Sequence, residues 1–96
     1  MYARFLRFNT SPGNRSKVEA IADKAFSIAR GLPGFISIHF TISDDEGTYG
    51  SFSLWESKEQ ADAGGAEIRS QVSAELEQVA TAPPSVDTYE IYKPGE

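Results

Sequence analysis

A chain of 96 residues carries one domain, 1–96, small enough that a second copy is a natural source of further burial. Its 40% hydrophobic and 24% charged residues are those of an ordinary globular protein, and its formal charge of −5 argues against nucleic acid and anionic membranes as partners. The absence of cysteine excludes disulfides, thiolate nucleophiles and cysteine-ligated metals; no segment approaches the ~18 apolar residues of a membrane span, Met1 to Phe5 lacks a signal peptide's apolar run, and the cytoplasm is the expected setting.

Tyr2 to Phe8 is rich in large residues and is followed by the turn cluster Asn9-Thr10-Ser11-Pro12-Gly13-Asn14, which reads as a strand and a loop. Arg4 and Arg7 fall on opposite faces of that strand and read as solvated or paired at an edge. Ser16-Lys17-Val18-Glu19 has the form of a capping box and predicts a helix start at Ser16. Val18, Ile21, Ala22, Ala25, Ile28, Ala29 and Leu32 recur at helical spacing as one apolar stripe. Gly31 is the expected left-handed cap, and Pro33 forbids continuation.

A second strand is expected from about Phe35 to Ser43, with Ile36, Ile38, Phe40 and Ile42 on one face and Ser37, His39 and Thr41 on the other. Asp44-Asp45-Glu46-Gly47 reads as a hairpin loop, and Thr48 to Trp55 as the third strand. With four loop residues, Ser43 meets Thr48, and Tyr49, Ser51, Ser53 and Trp55 join the face of Ile38 and Phe40. A three- or five-residue loop would swap the faces. The four-residue register places small Ser51 and Ser53 among large neighbours, leaving room under the helices. It sends Phe52, Leu54 and His39 to the opposite face.

Ser57-Lys58-Glu59-Gln60 is a second capping box and opens a second helix. Gly64-Gly65 interrupts it at a cost of about 2 kcal/mol against alanine, so a kink, a break or a close backbone approach is expected there. Ile68, Val72, Leu76 and Val79 continue the apolar stripe to Pro83-Pro84. Ser85 to Lys93 reads as the last strand, and Pro94-Gly95-Glu96 as a loose tail.

The order β-α-β-β-α-β predicts an α+β, ferredoxin-like split βαβ fold, a four-stranded antiparallel sheet with both helices on one face. The other face then carries Phe52 and Leu54 with further bulky residues of the first and fourth strands. An uncovered apolar face of that kind predicts a homodimer packed through the open sheet face.

Leu32-Pro33-Gly34-Phe35, the hairpin, and the run from Tyr49 through Ser53 and Trp55-Glu56-Ser57-Lys58-Glu59 to Asp62-Ala63 resemble the antibiotic biosynthesis monooxygenase (ABM) family. The resemblance implies a ferredoxin-like fold, a dimeric α+β barrel, and a pocket between helices and sheet in which an aromatic at the end of the third strand, here Trp55, takes part. Its haem-degrading branch uses an asparagine on the first strand and a histidine on the second helix. The first position falls near Leu6, and the second helix has no histidine, so haem degradation is not expected.

The function so implied is a cofactor-independent monooxygenase acting on an aromatic or polyketide-like small molecule, with no cofactor. The alternative is a non-catalytic dimeric module that binds a small hydrophobic ligand. Trp55, Tyr49, Phe26, Leu6 and Phe40 are the expected ligand contacts. A tyrosine hydroxyl can hold a substrate oxygen and an aromatic ring can stack on a flat ligand. No catalytic base is assigned: His39, the one histidine, is expected on the face away from the helices. Neither the Asp44–Glu46 run nor any other spacing matches a metal site.

Overall fold

A computed structural model describes residues 1–95; Glu96, the end of the expected tail, lies outside the described residues. The elements are β1 (Tyr2–Asn9), α1 (Arg15–Ala29), β2 (Phe35–Ile42), β3 (Thr48–Trp55), α2 (Lys58–Val79) and β4 (Ser85–Glu90). The four strands form one antiparallel sheet in the order β2-β3-β1-β4. This is the ferredoxin-like arrangement that the element order predicts.

Each connection has a local cause. α1 starts at Arg15, with Asn14 as its N-cap and no side-chain capping bond, so the box expected at Ser16 does not form. Glu19 is drawn instead to Arg15, at 3.2 Å one turn back, and Arg15 also reaches Glu46 of the hairpin at 3.4 Å. A carboxylate with a cation at i−4 has a stronger partner than a backbone N–H. At the far end Arg30 remains right-handed, and Gly31 and Leu32 donate to the Ile28 and Ala29 carbonyls in a tightened last turn. The left-handed residue is Gly34, at φ 77°, rather than Gly31. Gly34 O accepts from Glu56 N–H at 2.9 Å, which joins the Leu-Pro-Gly-Phe segment to the start of α2.

The hairpin has the four-residue loop. Ser43 N–H donates to Thr48 O at 2.9 Å, and Ile42, Phe40 and Ile38 lie opposite Tyr49, Ser51 and Ser53. Past Leu54 a β-bulge shifts the pairing, so that Phe35 rather than Ile36 faces Trp55 and Ile36 turns out to 45% exposure. The extra residue reverses the alternation that put Ile36 with Ile38. β4 ends at Glu90, shorter than the strand expected to Lys93.

At α2 the Ser57 half of the second capping box forms as read, with Gln60 N–H donating to Ser57 Oγ at 3.1 Å, while the Gln60 side-chain oxygen reaches back to accept from the Ser57 hydroxyl, at 3.1 Å, rather than from the Ser57 backbone N–H. The helix runs unbroken through Gly64-Gly65, so of the three expectations the close approach holds. A Cβ at Gly64 would collide with the six-membered ring of Trp55, and one at Gly65 with the guanidinium of Arg4. Two helix glycines cost about 2 kcal/mol. Burying a tryptophan of ~200 Å² at ~25 cal/mol/Å² returns about 5 kcal/mol, so the exchange favours the packed ring.

The core divides into two clusters beneath the helices. One gathers Ala25, Ala29, Ala61, Ile68 and Val72 around Trp55, with Phe35 and Tyr2 alongside. The other gathers Phe8, Val18, Leu76 and Val79 around Tyr49. Lys24 ties the helices across the top, donating to Glu75 at 2.7 Å and to the Gln71 carbonyl at 2.9 Å.

Candidate functional site

Between those two clusters lies a cavity of about 110 Å³. Its floor is the helix side of the sheet: Arg4, Leu6 and Phe8 of β1, Ile38, Phe40 and Ile42 of β2, and Tyr49, Ser51 and Ser53 of β3. Its roof is Val18, Ala22 and Ala25 of α1 and Ile68, Arg69, Val72 and Leu76 of α2. The space exists because Ser51 and Ser53 stand opposite Phe40 and Ile38, where a large residue would fill it. Phe40 and Ile42, on the edge strand, remain 41% and 40% exposed, so the cavity meets solvent between β2 and α1.

Of the five expected ligand contacts, Leu6, Phe40 and Tyr49 line this cavity. Trp55 and Phe26 do not. Trp55 is wholly buried: Phe35 packs edge-on at 5.5 Å between ring centres, and Gly64 lies against its six-membered ring. Its indole N–H donates to Ser53 Oγ at 2.9 Å, so its one polar atom is satisfied inside the protein. A tryptophan so enclosed presents no face to a ligand; it supports the cavity from behind, through Ser53 and the Ala25, Ile68 and Val72 side chains of its own cluster. Phe26 faces outward from α1 at 43% exposure, with the Arg30 guanidinium 5.9 Å from its ring centre.

Besides Ser51, Ser53, Thr41 and Glu19, two polar features stand out in the largely apolar lining. Tyr49 is 2% exposed, and its buried hydroxyl has no hydrogen-bond partner among the described residues. An unmade bond on a buried hydroxyl costs about 1–3 kcal/mol, so such groups are usually matched. The second feature is a pair of arginines on the β1–α2 wall. Arg4, read from the sequence as solvated or edge-paired, is half-buried on the helix side with Gly65 making room for it. Burial holds its guanidinium below the ordinary arginine range, and the neighbouring charge of Arg69 pushes the same way; Asp62 opposes them. The signal was present in the sequence: Arg4 shares parity with Tyr2, Leu6 and Phe8, and Arg69 follows Gly65 by one helical turn.

His39 stands on the other face, exposed, with its ring stacked on Phe52 at 5.0 Å between centres. The row continues: Phe52 stacks on Phe5 at 5.5 Å, and Tyr89 meets Phe5 edge-on at 5.8 Å. Four rings therefore cross all four strands on the uncovered side. A wider hollow of about 480 Å³ lies on this face beside Phe5, Phe52 and Tyr89, but it is an open trough in an exposed surface rather than an enclosed site. Among the described residues no three acidic, histidine or cysteine side chains gather to hold a metal, and no helix is long and apolar enough to cross a membrane.

A ferredoxin-like domain with a cavity roofed by its two helices is the architecture the resemblance implied. The profile of the antibiotic biosynthesis monooxygenase family matches residues 1–63, and the chain belongs to that family. Among solved structures, the chain is similar to Rv0793 from Mycobacterium tuberculosis at 23% identity and a TM-score of 0.81, covering 99% of this chain and 98% of that one. It is similar to a protein of unknown function from Nitrosomonas europaea at 18% identity and a TM-score of 0.82, covering 96% and 89%. It is also similar to SnoaB, a cofactor-independent oxygenase from Streptomyces nogalater, at 14% identity and a TM-score of 0.78, covering 99% and 97%. At these identities the likenesses speak to fold alone. No curated protein matches the chain at a significant level.

Proposed function

We propose that this protein binds a flat aromatic or polyketide-like small molecule in the cavity between helices and sheet, and acts on it as a cofactor-independent monooxygenase. The observation that carries the reading is the cavity itself, apolar and lined by a buried tyrosine whose hydroxyl lacks a partner. Membership of the monooxygenase family supports the class of reaction. A ring methylene and one O₂ give a ring carbonyl and one water, so the deprotonated substrate supplies every electron. What the protein contributes is position and the exclusion of water.

Size limits the substrate. A cavity of about 110 Å³ is smaller than the ~150 Å³ that accepts benzene in an engineered core. A single ring therefore enters only with side-chain movement, and a fused ring system extends to the β2 edge, where Phe40 and Ile42 are already half-exposed. Leu6, Phe40 and Tyr49 are the contacts. The working form is a homodimer closed through the aromatic row His39, Phe52, Phe5 and Tyr89, which a monomer leaves wet.

A second reading, a binding module without catalysis, is favoured by one observation. The only histidine stacks on the opposite face, and the carboxylate at the cavity, Glu19, is engaged by Arg15. Anthrones and hydroxylated naphthalenes under air separate the two. Oxygen uptake above buffer, with the anthrone converted to its quinone, supports the oxygenase. Quenched Trp55 emission with uptake equal to buffer leaves binding alone. Absence of both removes the cavity as a ligand site.

A further inference from the structure

Neither Arg4 nor Arg69 is spent on an ion pair among the described residues, whose ion pairs use Arg15, Lys24 and Lys58 as cations. Asp62, the acidic group that Arg4 feels, lies 3.9 Å from Lys58, and Glu19, the acidic group on the cavity wall, is held by Arg15. Two like charges thus face one cavity wall, one of them half-buried, in a chain whose net charge is −5. Desolvation and mutual repulsion both disfavour this arrangement in the empty protein. The chain nevertheless keeps a glycine at position 65, where any side chain would push into Arg4.

We propose that Arg4 and Arg69 form an anion subsite, which takes an oxyanion carried on the ring of the ligand, a carboxylate or a phenolate. The inference rests on the cavity as the ligand site. The apolar lining receives the ring while the two guanidinium groups receive the charge at its rim. Planar guanidinium groups match a carboxylate in two-point contact and a phenolate oxygen from two sides. The subsite also bears on the missing base. A site that prefers the anion lowers the pKa of a bound phenol, so an acidic substrate reaches its reactive form without a protein group to remove the proton.

The probes are 1-naphthoate, its neutral isostere 1-naphthamide, and 1-naphthol, whose phenol and phenolate absorb differently. Calorimetry on the wild-type chain is expected to give 1-naphthoate at least tenfold tighter binding than 1-naphthamide, and bound 1-naphthol is expected to titrate at lower pH than free. Arg4→Gln and Arg69→Gln should each remove most of that preference while leaving 1-naphthamide within about twofold. A carboxylate preference without a 1-naphthol shift assigns the subsite to carboxylates; a shift without the preference assigns it to phenolates. Equal affinity for naphthoate and naphthamide with unshifted naphthol, or a preference that survives both substitutions, overturns the subsite and leaves the cavity standing. No binding of any probe overturns both. Thermal unfolding supplies a readout without ligand: Arg69→Gln relieves the repulsion on Arg4 and should raise Tm. A lowered Tm assigns Arg69 to the fold and overturns the proposal.

Discussion

The two faces of this sheet solve opposite problems. On the helix side the chain has more cover than it fills: Ser51 and Ser53 stand where large residues would close the core, and a cavity results. On the open side it has more ring surface than it covers: Phe5 is 44% exposed and Tyr89 56%, in a row that neither helix covers among the described residues. Residues adjacent in sequence sit on these two faces in turn, Ser51 then Phe52 then Ser53. A single strand thus makes room on one side and adhesion on the other. Volume missing from an interior and apolar surface left outside it both cost stability unless a second molecule answers them, and the two kinds of answer differ in size. A small ligand fits the first, whereas a face of this breadth calls for a surface of about 800 Å² per partner.

The largest expected effect comes from charging the open face. Phe52→Glu puts a carboxylate between His39 and Phe5, in the middle of the row. Burying it unpaired at a dimer interface should weaken association at least ~100-fold, about 3 kcal/mol. Light scattering at micromolar concentration should give twice the 10.5 kDa chain mass for the wild type and 10.5 kDa for the variant. A wild-type particle of one chain mass would remove the dimer. Because position 52 faces away from the helices, ligand binding in the cavity should survive in the monomer, which makes the comparison between faces a sharp one.

A smaller effect is expected on the helix side. Gly64→Ala gains about 1 kcal/mol of helix propensity, yet its Cβ enters the space of the Trp55 ring. Overpacking of that kind costs typically 1–3 kcal/mol, so the net change should be destabilising by up to about 2 kcal/mol. Urea unfolding followed by Trp55 emission measures it. Ala63→Gly, on the exposed side of the same helix, is the control and should lose about 1 kcal/mol through propensity alone. A Gly64→Ala variant more stable than wild type would mean that the ring and the helix have room to spare, and that the helix side is looser than its packing indicates.

Most of the fold was legible because it rests on local signals: alternation in β3, the Ser57 cap, and the four-residue loop. What escaped depends on partners distant in the chain. The pair Gly64-Gly65 announced an irregularity, but which kind was decided by Trp55 and Arg4, contributed by β3 and β1. Glu19 matched a capping pattern and was taken by a cation at Arg15 that the pattern ignores. The bulge at Ile36 has no mark in the alternating run Phe35 to Ile42, since Ile36 is as apolar as its neighbours. For the candidate site, Phe40 and Tyr49 followed from parity and register, and Leu6 from the family resemblance. Trp55 was placed at the right seam, but its full enclosure follows from a glycine on another element. Arg4 was hidden by the general habit of arginine to face water.

The separation of the two faces depends finally on the hairpin, since a slip of one residue would exchange them. Asp45 secures the loop, accepting from the Ser43 hydroxyl at 2.7 Å and from Gly47 N–H at 2.9 Å. Ser43 Oγ in turn accepts from Thr48 N–H at 2.9 Å, so the carboxylate anchors the pair that closes the loop. These bonds, the hydroxyl first, hold the Asp45 carboxyl below its ordinary range. A carboxylate lowered in the fold adds stability that is present above its unfolded pKa and is lost as pH falls through the lowered folded value. The wild type should therefore shed a small increment below pH about 4. Asp45→Asn should lack that increment at neutral pH, and the two urea midpoints should converge in acid. The carboxylate is exposed, so this is the smallest of the expected effects. A difference between the two midpoints that stays constant from neutral pH into acid would show that charge on Asp45 plays no part in holding the register.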